Sequence, residues 1–594
     1  MQRPKASRCQ RSVTRVALDR PTAGLTNGWT DQRLDRLLAG PATCPVGRVP
    51  YVRSATPATP RDLARDGCHV PPSFVLSMMP PAIDAMTTAT LRTAILLPLV
   101  GCLLCLPVLA QQTPCSQATT TQTVDETNIT GNVTWSNTTA FILQDIVEVK
   151  DGGVLTIQEG TCIFGDADQE PSALVVRRGG QIIADATPDQ PIIFSSANNT
   201  EFFDVGSQFQ DTPGLPAAGD WGGVVIIGNA QCNGANDNTP GPTDDGITGD
   251  CEVEGLNSTL TGIEDFDATD SDGNGRLTFG GNSGIPGAQG LNNAENSGIL
   301  RNVRIEYAGF DLGGSPGNPQ GSGNELNILT LYGVGSGTTI ENVHVKGGQD
   351  DGFEFFGGTV NVKRVVATEI EDDSFDYSYG WSGNAQFVLI QQTADASDKG
   401  FEADNNEAEN GDEAQDYALD PLTNPNIYNI TLIGDGGGQT FRLRRGVGGT
   451  IQNGLIAAFG EGIDTDDMES FNNCASGDLF VDNITFNDGT LVGTVGSIFA
   501  ADTDPNGTTS QEQECAGSGV VQSPTLLVSE AELRSNANAN FQPLANPPTA
   551  TTDDPTSIDP GFFEAAPYRG AIAPSGLPFY LNGSWVRFQN TATP

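Results

Sequence analysis

Histidine is almost missing from this chain: His69 and His344 are the two among 594 residues. A Ser-His-Asp triad is therefore disfavoured, and a metal site built from several histidines of the region after residue 110 is excluded. Basic residues are also scarce, with 29 Lys and Arg against 74 Asp and Glu and a formal net charge of −45. Phosphate recognition needs the opposite sign, so nucleic acid is excluded as an ordinary partner. No glycine-rich loop ending in Lys-Ser/Thr offers a phosphate cradle, and the middle of the chain lacks an amphipathic helical period. The longest apolar run, Ala94 to Leu109, is too short to be a membrane span and is broken by Pro98 and Pro107. The region beyond it contains no transmembrane segment.

What the sequence does have is an internal repeat. Residues 342–356 (NVHVKGGQDDGFEFF) and 364–378 (RVVATEIEDDSFDYS) align without a gap at an offset of 22, and DKGFEA at 398–403 repeats the core once more. Phe353, Phe375 and Phe401 fall on one another, as do Glu354, Asp376 and Glu402. Repeats of this length mean stacked units that cannot bury an apolar face alone. The segments are short runs rich in Val, Ile and Thr, and they are separated by Gly-Gly corners such as 152–153, 179–180, 347–348 and 357–358. They read as strands joined by tight bends. A coil of about 22 to 27 residues has no room for a packed helix and is too short for a four-stranded propeller blade. The Leu and Asn signature of leucine-rich repeats is missing. The expected fold is all-β: a right-handed parallel β-helix with long loop insertions and terminal caps, the phenylalanines stacked inside.

The ends divide the chain further. Residues 1–85 show no periodicity and read as an over-extended or disordered front, whereas residues 86–110 read as a signal peptide cleaved near Ala110. The apolar run continues past Cys102, which favours ordinary cleavage over lipid attachment. Residues 1–110 carry 13 basic and 6 acidic groups, leaving 16 and 68 beyond and a charge near −52. Residues 111–140 are expected as an N-terminal cap, 141–515 as the β-helix, and 516–594 as a C-terminal cap on the last coil, with a short helix at SEAELRSNA. Secretion or display at the cell surface follows, and the oligomeric state is left open.

Six cysteines remain after the signal: Cys115, Cys162, Cys232, Cys251, Cys474 and Cys515. An even number at wide spacings in an exported chain points to disulfides rather than zinc. Among fifteen pairings, Cys115 with Cys162, Cys232 with Cys251 and Cys474 with Cys515 would close the first coils and staple two excursions. Asn-x-Ser/Thr sequons at Asn128, Asn132, Asn137, Asn429, Asn483 and Asn582 are either glycosylation signals or the mark of an Asn- and Thr-rich surface.

Two acidic motifs carry the candidate chemistry. Asp270, Asp272 and Asn274 alternate around glycines, with Arg276 at the next alternate position, as a calcium loop of EF-hand type requires. The twelfth position is Gly281, so the bidentate ligand must come from elsewhere, from Asp265, Asp267 or Glu254. The expected cofactor is structural Ca²⁺. The second motif is the carboxylate ladder formed by the repeats. Like charges stacked about 5 Å apart must gain protons, cations or basic partners, and Arg442, Arg444 and Arg445 could cap it. A structural ladder with hydrogen bonds to backbone at the bends is the preferred reading for at least half of these residues. Asp350, Asp351, Asp372 and Asp373, with Arg442 as a basic group, are the candidates for carboxylate-pair catalysis by a polysaccharide lyase or glycoside hydrolase. Trp221, Tyr379 and Trp381, together with Asp376 and Glu402, are the candidates for a glycan-binding face.

The strings GDWGGVVIIGNA (219–230), NSGILRNVRIEYAG (296–309), ELNILTLYGVGSGTTIENVHV (325–345), DDGFEFFGGTVNVKRVVA (350–367) and DKGFEADNN (398–406) resemble a family of exported bacterial surface proteins, over roughly residues 125–590. That resemblance implies a right-handed β-helix and export, and it brings no catalytic residues. Together these readings give an exported, calcium-stabilised β-helix that binds glycan or cell-envelope polysaccharide without cleaving it. An acidic-face lyase or hydrolase and a purely structural envelope component are the alternatives.

Overall fold

In the computed structural model, the 22-residue offset is the step from one rung to the next. Phe353 pairs in parallel register with Phe375, Glu354 with Asp376 and Phe355 with Tyr377. The structure describes residues 115–125, 127–167, 172–199, 215–233, 251–257, 276–280, 290–310, 326–393, 397–406, 417–487, 495–500, 512–523, 540–543 and 552–588. Among them, strands form a 15-stranded parallel sheet, an 11-stranded parallel sheet and a two-stranded antiparallel ribbon of Cys251–Asn257 with Arg276–Phe279. Each coil contributes a short strand to the 11-stranded sheet, such as Phe353–Phe356, and from Gly298 onward a longer one to the first sheet, such as Asn361–Thr368. This is the right-handed parallel β-helix the repeats predict.

The long strands are bent at one fixed register. Asn302, Asn342, Arg364, Phe387, Asn429, Asn453 and Asn483 all have φ between 54° and 64°, and the pairing places them on successive rungs. Asparagine tolerates this left-handed conformation better than most residues, which accounts for five of the seven. Their amides also bond outward from the bend, as Asn342 Nδ2 does to Asn302 Oδ1 at 2.9 Å. Asn429 and Asn483 are buried at this bend, which argues against glycosylation at those two sequons.

Between the sheets, one continuous apolar cluster fills the coil, with the rings of Phe353, Phe355, Phe375, Trp381 and Phe401 stacked along it. All three expected disulfides are present: Cys115–Cys162, Cys232–Cys251 and Cys474–Cys515, with Cα separations of 5.5, 6.6 and 4.4 Å.

Both expected caps need correction. The segment 111–140 already contains the first rung: Thr120–Val124 pairs in parallel with Thr139–Leu143, Thr127–Ile129 with Ile146–Val149, and Asn132–Trp135 with Val154–Ile157. At the other end, residues 552–588 do not cover the last coil. They lie along the outer face of the first sheet as a strap, where Ala571, Ile572, Tyr580 and Trp585 cover Val366, Leu389, Ile433 and Leu455. Polar anchors fix the strap rung by rung. Asn429 Nδ2 donates to the Tyr568 carbonyl at 2.8 Å, Arg569 Nη1 to Thr485 Oγ1 at 2.8 Å, and Arg304 Nη1 to the Ser584 carbonyl at 3.0 Å. The expected helix at SEAELRSNA lies outside the described residues, as do 1–110.

His344 is fully buried beneath this strap. Its Nδ1 accepts from the Arg587 amide at 3.2 Å, which leaves Nε2 to carry the proton and donate to Thr368 Oγ1 at 2.9 Å. Burial first, then the charges of Arg304 and Lys346, hold the imidazole well below its ordinary range. Glu306 and Glu369 are the acidic groups paired to those two cations. The unfolded chain therefore takes up the proton first as pH falls below about 6.5, and the folded state loses stability below that value while gaining nothing above it. Thermal unfolding between about pH 7 and 5 should accordingly show a steeper acid loss for the native chain than for His344→Asn. Equal slopes would show that this histidine does not couple to folding.

Candidate functional site

The second sheet carries the acidic row. In register, Phe353, Phe375, Phe401, Phe441 and Ile463 fill the inside of the coil. Because strand side chains alternate, the next residue of each strand points to the opposite face, giving the row Thr330, Glu354, Asp376, Glu402, Arg442 and Asp464. Rungs about 4.8 Å apart would leave three adjacent carboxylates repelling one another in water. Here all three are buried as well.

A second row lies at the bend before each strand. Asn327 Oδ1 accepts from the Asp351 amide at 3.0 Å, Asp351 Oδ1 from the Asp373 amide at 2.9 Å, and Asp373 Oδ1 from the Lys399 amide at 2.8 Å. Each carboxylate thus satisfies a backbone donor of the next coil and fixes its register. The two rows meet. Asp351, Glu354 and Asp376 each present an oxygen within 4.8 Å of the others, and so do Asp373, Asp376 and Glu402. Two outer groups, Asp350 with Asp351 and Asp372, and Asp372 with Asp373 and Asp398, are more open to solvent. Burial first, then the carboxylates of Asp373, Asp350, Asp376 and Glu354, push the Asp351 carboxyl well above its ordinary range. Burial and Glu402 do the same to Asp373, opposed by Lys399.

Protein cations gather toward the Glu402 end. Lys399 Nζ lies 3.3 Å from Asp373 Oδ2, 2.6 Å from Asp398 Oδ2 and 3.1 Å from Glu402 Oε1. Arg444 contacts Glu402 Oε2 at 2.6 Å and Asp404 Oδ1 at 2.8 Å, and Arg445 reaches Asp404 Oδ2 at 2.5 Å. The basic cluster therefore caps the ladder as expected, through Arg444 and Arg445. Arg442 is instead held by Asp464 and Asp466 of the following coil. The acidic patch around Asp464 is accounted for in the same way: Asp467 Oδ1 accepts from the Ser470 amide at 2.8 Å and caps the helix Met468–Ser476.

The aromatic face expected for a ligand is corrected. Trp221 and Trp381 are 2% and 0% exposed. The indole of Trp221 stacks on Phe194 and donates to the Glu306 carbonyl at 2.8 Å, while Trp381 stacks on Phe355 and donates to the Val360 carbonyl at 3.1 Å. Burying a large apolar ring with its single donor satisfied outweighs display to solvent. Tyr379 is half-buried against Phe356 and Phe279. Asp376 and Glu402 belong to the buried row and not to an open face.

Asp265, Asp267, Asp270, Asp272 and Asn274 lie outside the described residues. Arg276 opens the ribbon strand Arg276–Phe279. Asn327 and Thr330 were not anticipated, although LNILTLYG at 326–333 lies over DDGFEFFG... at 350–357 at an offset of 24.

Residues 127–525 match the pectate-lyase-like β-helix domain family. The chain belongs to that family. No curated protein and no solved structure matches the chain. Membership accords with the parallel sheets and with a continuous domain running from the first rung to beyond Cys515. Among the described residues no helix is long and apolar enough to cross a membrane.

Proposed function

We propose that this β-helix is an exported cell-surface or extracellular protein that binds glycan without cleaving it and is stabilised by calcium. One observation carries the non-catalytic reading. Asp351 and Asp373, the best placed candidates for carboxylate-pair chemistry, are buried and each commits an oxygen to the backbone of the next coil. A general acid or nucleophile must reach its substrate, and these groups instead hold rungs together. Arg442, the candidate basic group, is occupied by two carboxylates. Three disulfides support an oxidising compartment. A pectate-lyase-like β-helix suits a glycan-related or surface role, and its long parallel sheets suit an extended polymer.

With Trp221 and Trp381 inside the coil, sugar rings would be met by polar side chains and loops. The strong negative charge makes a further distinction. An anionic polysaccharide is repelled unless calcium bridges it, whereas a neutral one is not. Passing the purified protein over immobilised neutral and acidic polysaccharides, with released reducing ends measured in the same samples, tests this. Retention without release is expected, with acidic polymers retained only in calcium. Release of fragments that stops in Asp351→Asn would establish an enzyme, and no retention on any polymer would leave a structural component of the envelope.

A further inference from the structure

We infer that Asp351, Glu354 and Asp376 hold a hard divalent cation, calcium foremost, on the face of the second sheet. The inference rests on the calcium-stabilised reading above and places an ion in the solenoid wall, away from the 270–274 loop. Three carboxylates drawn from two adjacent coils converge so that one oxygen of each lies within 4.8 Å of the others. Oxygens bound to one calcium ion at 2.3–2.6 Å can be at most roughly 5 Å apart, so this spread fits a single coordination sphere. The donors are all oxygen, which selects calcium or magnesium over zinc or copper.

A second, independent feature points the same way. Thr330 stands in register with Glu354 on the same face, is 0% exposed, and its hydroxyl has no hydrogen-bond partner among the described residues. Ser378, two residues beyond Asp376 on that face, is also 0% exposed, and its hydroxyl likewise has no partner among the described residues. Burying a hydroxyl without a partner is unfavourable, and two of them beside a carboxylate cluster are explained when an ion with its remaining water lies against them. Further along the row, Lys399 and Arg444 perform the equivalent service for Glu402. The row is thus neutralised in two ways: by protein cations toward the Glu402 end and by a bound ion toward the Glu354 end.

Calcium binding to the full chain, measured by calorimetry and by the thermal midpoint in calcium and in chelator, tests the assignment. Asp376→Asn should weaken calcium binding at this site by tenfold or more and abolish the associated rise in midpoint. Thr330→Val, which keeps shape and removes the hydroxyl, should weaken it several-fold while leaving the fold intact, so a poorly folded Asp376→Asn would not stall the test. Asp270→Ala with Asp272→Ala should leave this site unchanged. Native affinity in Thr330→Val, with Asp376→Asn either native in affinity or too poorly folded to measure, or loss of all binding in the loop variant alone, would overturn the ladder site while calcium stabilisation stands. An unmodified chain that binds no calcium would overturn both, and would leave the glycan-retention test unaffected.

Discussion

Phe375→Ala is expected to lower the free energy of unfolding by about 3–5 kcal/mol, among the largest effects of any single truncation in the coil. The ring is fully buried, with centroids 5.0 Å from Phe401, 4.9 Å from Phe355 and 6.0 Å from Trp381. Its neighbours belong to hydrogen-bonded rungs above and below and cannot collapse into the void without breaking register. Each rung rests on the next, so the cost should extend to the adjacent coils and lower the protection of their amides against hydrogen exchange. Denaturant unfolding measures the first effect and exchange the second. A loss below about 1 kcal/mol would mean that the stack is not as closely packed as described.

Arg304→Ala is expected to cost a similar amount, for an electrostatic reason. Arg304 Nε and Glu306 Oε1 are 2.7 Å apart and both side chains are 2% exposed. Glu306 keeps hydrogen bonds from Ser195 Oγ at 2.9 Å and Asn199 Nδ2 at 3.2 Å, but these do not replace a cation for a buried carboxylate. Removing one partner of such a pair typically costs about 3–5 kcal/mol, whereas replacing both by neutral groups costs far less. Arg304→Met combined with Glu306→Gln should therefore recover most of the loss. The single variant should also loosen the strap, because the Ser584 carbonyl loses its donor. Protease cleavage in 552–588 under native conditions reads this directly. A single variant as stable as the native chain, with an uncut strap, would show that the pair contributes nothing.

The parts of the fold that were legible in the sequence are those set by local periodicity. The offset of 22 between 342–356 and 364–378 placed Phe353 on Phe375 and Glu354 on Asp376, and the register agrees residue for residue. The Gly-Gly corners at 347–348 and 357–358 contain left-handed glycines, as the bends demanded. The three cysteine pairs were accessible because each closes a loop of 19 to 47 residues. The bend within the long strands was harder to see, since only five of its seven positions are asparagine and insertions make their spacing irregular. The strap was invisible for a different reason. Its contacts, such as Arg587 with His344 at a separation of 243 residues, leave no repeat to align.

At the candidate site, the repeats located the carboxylates and left two readings for them, a pair for catalysis or a structural ladder bonded to backbone at the bends. The bend geometry decides for the ladder at Asp351 and Asp373, each of which accepts the next amide. Trp221 and Trp381 were candidates for a ligand because exposed aromatic rings can stack on sugars, although burial is the commoner fate of such residues. Their indole N–H groups instead find carbonyls inside the coil. Burial depends on which face of which strand a residue occupies, and one bend in the wrong place reverses it.

Anomalous diffraction from crystals grown with calcium and then exchanged with a heavier oxygen-seeking ion such as terbium shows directly whether the ladder holds an ion. A peak coordinated by Asp351, Glu354 and Asp376 and close to the Thr330 hydroxyl is expected. Carboxylates that instead share protons with one another at that position, with no peak between them, would contradict the assignment.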